Sequence, residues 1–536
     1  MAKRLGALAS LLVLVVLGIP SIAAGADEEP VIENDIVVES FDGTPIVATL
    51  MLPAEASADN PVPVVLETHG WGGNRRETAD GMPGRLLEDG YAILTWDSRG
   101  FGESGGEANV GSPDFEVKDV GALLTYLASR PEIQKDGPKD PRVGWIGGSN
   151  AGGIQFNTAA LDRRVDAIVP EISWGDLVRD LFPNGVAKQM WDELLYGAGL
   201  AGAVPEGLGS PAGPQTGAYA REIHQAAAEV HATGSPSDAS IEWFAHKSTT
   251  ARSRRIEAPT LIIQGTVDTL FPLEEAFDNY LNLKNAGTPV KLITYCSGHT
   301  LGCAYPGGSS GYPEGARDKP ALWEDRIVAW LDRYVKGLDV PTGTEVEWQA
   351  QDGYFYSAPR YPLPGARLLE VKEVEIGSVV GPGPGGGDGI LDGNPAPAQE
   401  LGRSAARVEI FAPAKEATPL LGVPRLEIEG ELTGVAGHLF FELVDVAPEG
   451  DRVTIDDQVM PLFVESGSFE RGLDLHGISW ILMPGHSIEL EVTTGSLQYS
   501  VPRTGPYSVA LTAVAELPLP TGRFARPVRA QPNLSH

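Results

Sequence analysis

Most of what this chain can fold into is set by a rhythm. From Asp35 to about Gly337 short β-rich apolar runs alternate with helical patterns, and from Arg407 onward the helical patterns stop. Ile36–Val38 and Val47–Leu52 read as strands around the turn Asp42-Gly43. Val62–Glu67, Ala92–Trp96, Val143–Ile146, Ala167–Val169, Thr260–Ile263 and Val290–Tyr295 follow. Helical segments lie between them near Glu77–Leu87, Phe115–Ala128, Leu273–Leu283 and Ala321–Val335; the last opens at Pro320, aligns Ile327, Leu331 and Tyr334 on one face and stops at Gly337. Strands separated by helices need crossover connections, so the alternation predicts a mostly parallel sheet with helices on both faces, an α/β domain.

The alternation breaks from about Trp174 to Thr250, which is helical where patterned (Leu177–Leu181, Val186–Tyr196, Tyr219–His231) and otherwise rich in Gly, Pro and Ser. An insertion after a strand's C-terminal end lies over the edge where open α/β sheets bind ligands, so this stretch reads as a helical cap. Its aromatics Trp174, Phe182, Trp191, Trp243 and Phe244 either line a pocket or pack the cap's own small core; Trp174 and Phe182 are the pocket candidates. Gly381–Gly393 reads as a linker or flexible loop by composition, and Asp388, Asp392 and Asn394 lack the spacing of an EF-hand, so no metal is assigned. Alternating runs from Arg407 to Leu517, broken by Pro/Gly turns, predict an all-β, jelly-roll-like sandwich.

The first 26 residues read as a secretory signal: Lys3 and Arg4, an apolar stretch from Leu5 to Ile19, and a small-x-small site at Ala24-Gly25-Ala26. The resulting plan is a signal peptide at 1–26, an α/β domain at 27–345 with its cap at about 174–250, a linker at 346–406, a β-sandwich at 407–520 and a tail at 521–536. The formal charge of −32 argues against nucleic acid or an anionic membrane surface as a partner, since neutralising phosphates requires clustered cations. With two cysteines in the whole chain, a disulfide scaffold and a cysteine-rich zinc module are both excluded. In an exported chain Cys296 and Cys303 are expected to pair, with two buried thiols as the alternative.

Chemistry concentrates at Gly147-Gly148-Ser149-Asn150-Ala151-Gly152-Gly153, where a short apolar strand runs into a serine with small neighbours and then a helical stretch. A nucleophile elbow needs such neighbours because the serine adopts unfavourable backbone angles and the flanking chain passes close. The serine needs a base, since a free hydroxyl is almost fully protonated at neutral pH. His299 follows the strand Val290–Tyr295, and Asp268 follows the preceding strand Thr260–Gln264. The order Ser…Asp…His, each after a predicted strand, is that of α/β-hydrolases. Ser149 is then the nucleophile, His299 the general base and acid, and Asp268 the residue that fixes the imidazole tautomer. The oxyanion donors are expected to be the backbone N–H groups of Asn150 and Trp71, the latter in the loop His69-Gly70-Trp71-Gly72-Gly73. His69 is read as a loop-shaping residue, not the base.

Further motifs carry a resemblance. Phe41-Asp42-Gly43-Thr44-Pro45, Trp96-Asp97-Ser98-Arg99-Gly100-Phe101-Gly102-Glu103-Ser104-Gly105-Gly106 and Ala258-Pro259-Thr260-Leu261-Ile262-Ile263-Gln264-Gly265 resemble the family of X-prolyl dipeptidyl peptidases and cocaine-esterase-like acyl hydrolases. Leu443-Val444-Asp445-Val446, Pro448-Glu449-Gly450 and Pro484-Gly485-His486 resemble that family's C-terminal β-sandwich. Asn150 stands where the family usually has tyrosine, and the loop at His69-Gly70-Trp71 lacks the tyrosine that supplies an oxyanion donor in many members. The resemblance implies a serine hydrolase acting on a small ester or peptide substrate without metal or organic cofactor; no stretch after the signal segment is apolar enough to span a bilayer, so no membrane association is expected after signal cleavage. Ester hydrolysis is placed ahead of X-Pro dipeptide release, because an alcohol leaves with less help from the acid. A catalytically silent binding protein is the rival from another class, and the presence of all three triad positions speaks against it.

Overall fold

The computed structural model describes residues 29–202, 218–299, 322–349, 355–370, 374–380, 405–499, 506–520 and 528–529. The signal segment, Cys303 and the Gly381–Gly393 loop lie outside the described residues. The central sheet takes strands β1 (Val31–Glu39), β2 (Pro45–Leu52), β3 (Val64–Thr68), β4 (Ala92–Trp96), β5 (Val143–Gly148), β6 (Ala167–Glu171), β7 (Thr260–Gly265), β8 (Val290–Tyr295), β9 (Val346–Gln349) and β10 (Phe355–Ala358). Their spatial order is β1-β2-β4-β3-β5-β6-β7-β8-β9-β10, and from β4 to β9 neighbours run parallel. This is the expected α/β architecture.

The strands read as continuous apolar runs because both faces are covered. Val64, Leu66, Leu94 and Ile262 pack on one side with Leu123, Phe156 and Phe277; Val65, Ile93, Leu261 and Ile263 point the other way, against Leu86, Trp330 and Leu331. Each such side chain contributes roughly 1.5–3 kcal/mol relative to exposure. The first layer comes from helices at Glu116–Ser129, Asn150–Leu161 and Leu273–Ala286, the second from Gly81–Glu88 and Leu322–Tyr334. The chain leaves β3 for β4 on one side and reaches β5 on the other. That reversal opens a crevice at the carboxyl ends of β3 and β5, where open sheets bind ligands.

The motifs behind the resemblance prove to be braces. Arg99 is buried and donates to both carboxylate oxygens of Asp119, at 2.7 and 2.6 Å, and to Asp42 at 3.1 Å. It thereby ties the Asp42-Gly43 turn to the loop after β4 and to the helix Glu116–Ser129.

The stretch 346–406 is corrected from a linker. Val346–Gln349 and Phe355–Ala358 extend the central sheet, and Val528–Arg529 from the expected tail pairs with the latter. Composition hid β9 because it carries a charge in the core: Glu347, 1% exposed, lies between Lys291 at 2.7 Å and Arg326 at 2.8 Å. Ala366–Glu370 and Val374–Val380 belong to the C-terminal domain, both antiparallel to Tyr507–Pro520.

That domain is antiparallel β. Its spine is Arg425–Val446, which pairs along one edge with Met460–Asp474 and along the other first with Tyr507–Pro520 and then with Ser487–Thr493. Alternate residues Leu426, Ile428 and Leu432 point into a core shared with Ile488, Leu490, Val509 and Leu511. It abuts the α/β domain through Tyr361 stacked on Phe277 at 4.1 Å and His476 bonded to Glu274 at 2.6 Å.

Candidate active site

Ser149 stands between β5 and the helix Asn150–Leu161 with φ 58° and ψ −123°, a backbone conformation that costs energy for any residue with a Cβ. Its N–H donates to Glu171 O at 2.9 Å, and Gly153 N–H returns to Ser149 O at 3.2 Å. Small neighbours are required here. A Cβ on Gly147, itself at φ 143°, would lie 2.9 Å from Ala151 Cβ and 3.0 Å from Thr68 O. A Cβ on Gly153 would lie 2.0 Å from the Trp174 ring.

The structure brings the three dispersed side chains together. His299 Nε2 lies 2.8 Å from Ser149 Oγ, and His299 Nδ1 lies 2.7 Å from Asp268 Oδ2. Asp268 is completely buried; its Oδ1 accepts the N–H groups of Leu270 and Phe271, both at 3.0 Å, and its Oδ2 also accepts the His299 N–H at 3.3 Å. A carboxylate can only accept, so His299 Nδ1 carries the proton and Nε2 presents a lone pair to the serine hydroxyl. Trp191 and Phe271 meet the imidazole edge-on at 5.9 and 5.2 Å and hold its plane. Cys296 is disulfide-bonded, no cysteine is free among the described residues, and Cys303, its expected partner, lies outside them.

Asn150 N–H, at the first helical position, has no acceptor within the helix. Among the described residues the Trp71 N–H has no acceptor either, and both residues line the cavity beside Ser149. Trp71 also ties the cap to the sheet: its indole donates to Leu195 O at 2.9 Å and stacks on Tyr219 at 5.3 Å. His69 shapes its loop, accepting Ser98 N–H on Nε2 at 3.0 Å and donating from Nδ1 to Gly70 O at 2.7 Å. Burial lowers its pKa below the ordinary histidine value, in keeping with a neutral ring.

Two spaces meet at Ser149. One is an apolar cavity of about 100 Å³ roofed by the cap, with Phe182, Tyr196, Phe244, Leu270 and Phe271 in its wall and Asp192 as its acid. The other is a polar cleft with Glu67, Asn74, Arg76, Glu171 and His299. Phe182 is therefore a wall residue, whereas Trp174 is corrected: it packs on Gly153 and Phe271, donates to Lys247 O at 3.0 Å and stands in the cap's own core. Its large ring fills the space that Gly153 leaves open, so it anchors the cap instead of facing substrate.

Sequence reading passed over Asp192 and Lys188. Asp192-Glu193 looks like a solvated helix pair, yet Asp192 faces inward and burial pushes its carboxyl well above the usual range. Lys188, fully buried, donates to Thr269 O at 2.8 Å and Leu270 O at 3.1 Å, so a cap cation holds the loop that carries Asp268. Nothing in the local pattern distinguishes either residue from a surface charge.

Residues 42–300 match the family model described as X-Pro dipeptidyl-peptidase (S15 family). Among curated proteins, the uncharacterized protein PA2218 of Pseudomonas aeruginosa is 30% identical over 128 residues, 24% of this chain and 33% of that protein. The chain thus spans about a third of that relative. Among solved structures, a CocE/NonD family hydrolase from Staphylococcus aureus superposes with a TM-score of 0.65 at 14% identity, covering 92% of this chain and 94% of the other. An α-amino acid ester hydrolase gives 0.64 at 15% identity, covering 95% and 100%. Those likenesses extend through the C-terminal β domain and establish the shared fold. The fold, the strand-end geometry and the match over residues 42–300 agree in placing the α/β domain of this chain with the X-Pro dipeptidyl-peptidase (S15) family of serine hydrolases.

Proposed function

We propose that this protein hydrolyses carboxylic ester or amide bonds through an acyl-enzyme, with esters of compact apolar acids as the preferred substrates. The observation that carries the reading is the unbroken hydrogen-bonded line from Ser149 Oγ through His299 to Asp268. Ser149 attacks the acyl carbon while His299 Nε2 takes the hydroxyl proton. The resulting imidazolium is stabilised by Asp268, and the oxyanion by the Asn150 and Trp71 N–H groups. His299 then passes the proton to the departing oxygen or nitrogen, the acyl-enzyme forms, and water attacks by the same route in reverse.

The position of His299 sorts the two spaces. The general acid must touch the leaving atom, and His299 borders the polar cleft. The leaving group accordingly occupies the cleft and the acyl group the apolar cavity. Release of an X-Pro dipeptide is the second reading, favoured by the family match. It requires a fixed anion for the substrate's ammonium, and the acid in the cavity, Asp192, is biased by burial toward its neutral form. That places the ester reading first.

A fluorophosphonate probe tests the chemistry. Labelling of the wild type that vanishes in Ser149→Ala supports it, and a folded, unlabelled wild type points to a binding protein. Comparison of p-nitrophenyl acyl esters with Ala-Pro and Gly-Pro p-nitroanilides tests the substrate class; strong preference for the anilides reverses the order of the two readings. Export is proposed on the segment 1–26, and N-terminal sequencing of the protein recovered outside the cytoplasm tests it by its start at Asp27.

A further inference from the structure

The loop that carries Asp268 has its carbonyl groups held from three directions. Gln264, at the end of β7, donates to Phe271 O at 2.6 Å. From the cap, Lys188 holds Thr269 O and Leu270 O. From the C-terminal β domain, Gln458 donates through Nε2 to Asp268 O at 3.1 Å and to Thr266 O at 3.4 Å. Gln458 is therefore the residue that grips the acid's own peptide group, across 190 positions of sequence.

The approach of Gln458 is built at a cost. Asp456 and Asp457, directly before it, have φ of 54° and 55°, two consecutive non-glycine residues in the left-handed region. Such strain persists only where surrounding structure enforces it. Here Asp456 Oδ2 accepts Ser479 N–H at 2.6 Å, Gln498 donates to Asp457 O at 3.1 Å, and Tyr499 OH donates to Val459 O at 2.7 Å. The turn is pinned on both sides of Gln458, and it delivers a buried amide to the acid loop.

We propose that Gln458 is a positioning residue for the triad, and that the C-terminal β domain serves catalysis by bracing the peptide group of Asp268. The proposal rests on the triad reading above. Rotation of that peptide plane would swing the carboxylate off His299 Nδ1, which sits 2.7 Å from Oδ2. Hydrogen bonds to the Asp268 and Thr266 carbonyls oppose the rotation, and substrate binding in the cap cavity does not depend on them.

The test uses the full chain with Gln458→Glu, which keeps the shape and removes the donor, and Gln458→Met, which keeps the approximate volume without donor or charge. The expected result is kcat for p-nitrophenyl esters lower by about 10- to 100-fold, the loss that small misplacements produce, with KM unchanged. In parallel, the downfield proton resonance of the His299–Asp268 hydrogen bond shifts or broadens while the thermal midpoint stays near that of the wild type. Wild-type kcat and an unmoved resonance in either folded variant overturn the proposal, as does a loss confined to KM. The wild type's reaction with the fluorophosphonate separates the two levels. A labelled wild type with unaffected variants removes the brace alone, while an unlabelled wild type removes the triad reading beneath it.

Discussion

The rim of the central sheet and the helical cap meet at Ser149, and they are built on opposite rules. On the rim, position comes from hydrogen bonds to backbone: four N–H groups, those of Leu270, Phe271, His299 and the His299 ring, converge on Asp268. In the cap, much of the position comes from apolar packing, and some buried carboxylate oxygens go unmatched. Among the described residues both carboxylate oxygens of Asp180 and Oδ2 of Asp192 have no hydrogen-bond partner, and burial raises both acids well above the usual range. A directional rim holds a fixed geometry for bond-breaking, while a non-directional cap supplies shape. Chemistry should therefore fail with the rim and selectivity should drift with the cap.

The largest break in that comparison comes from Asp268→Asn. The amide cannot hold the imidazole in the required tautomer, and kcat is expected to fall by about 10⁴-fold with KM little changed. Steady-state kinetics on one ester decide it. A variant within tenfold of wild type would mean that the rim does not perform the chemistry assigned to it.

The same contrast explains what could be read before any coordinates. Ser149, Asp268 and His299 were legible because each sits just past an apolar run, and strand ends in a parallel sheet converge by topology. The cap was legible as helices but not as a wall. Trp174 and Phe182 have the same apolar character and lie eight positions apart, yet one fills the gap over Gly153 and the other faces the cavity. Which way each ring points depends on the glycines of another element. Strand β9 escaped notice for a related reason, since Glu347 looks exposed until Lys291 and Arg326 are placed around it.

A smaller break lies where rim and cap join. Gly153→Ala would drive a methyl into the Trp174 ring, and overpacking of this kind costs about 1–3 kcal/mol. Urea unfolding should show the loss, and a paired Trp174→Leu substitution should recover part of it by making room. Unchanged stability in the single variant would show that the cap is not anchored at this contact. Within the cap itself, Phe182→Ala enlarges the cavity without touching the triad. The ratio of kcat/KM for longer over shorter acyl esters is expected to rise about tenfold, the scale of a methylene or two in an apolar pocket. A uniform fall across all chain lengths would instead place Phe182 in the machinery of the rim.

The finest distinction is electrostatic, and Asp192 makes it. Its carboxyl is raised by burial above the unfolded value, so over that interval the native state binds a proton that the unfolded chain has released. The stability linked to this group is fully present below the ordinary carboxylate pKa and is lost as pH rises toward the folded one. Asp192→Asn keeps the shape and removes the titration, so the variant should gain on the wild type as pH rises above the ordinary carboxylate pKa. Because both proteins share every other titrating group, the difference between their unfolding free energies isolates this one. A difference that stays flat across the range would mean that Asp192 is ionised and compensated in the cavity. The cap would then offer substrate a fixed negative charge, and the preference for uncharged acyl groups would give way to one for cations.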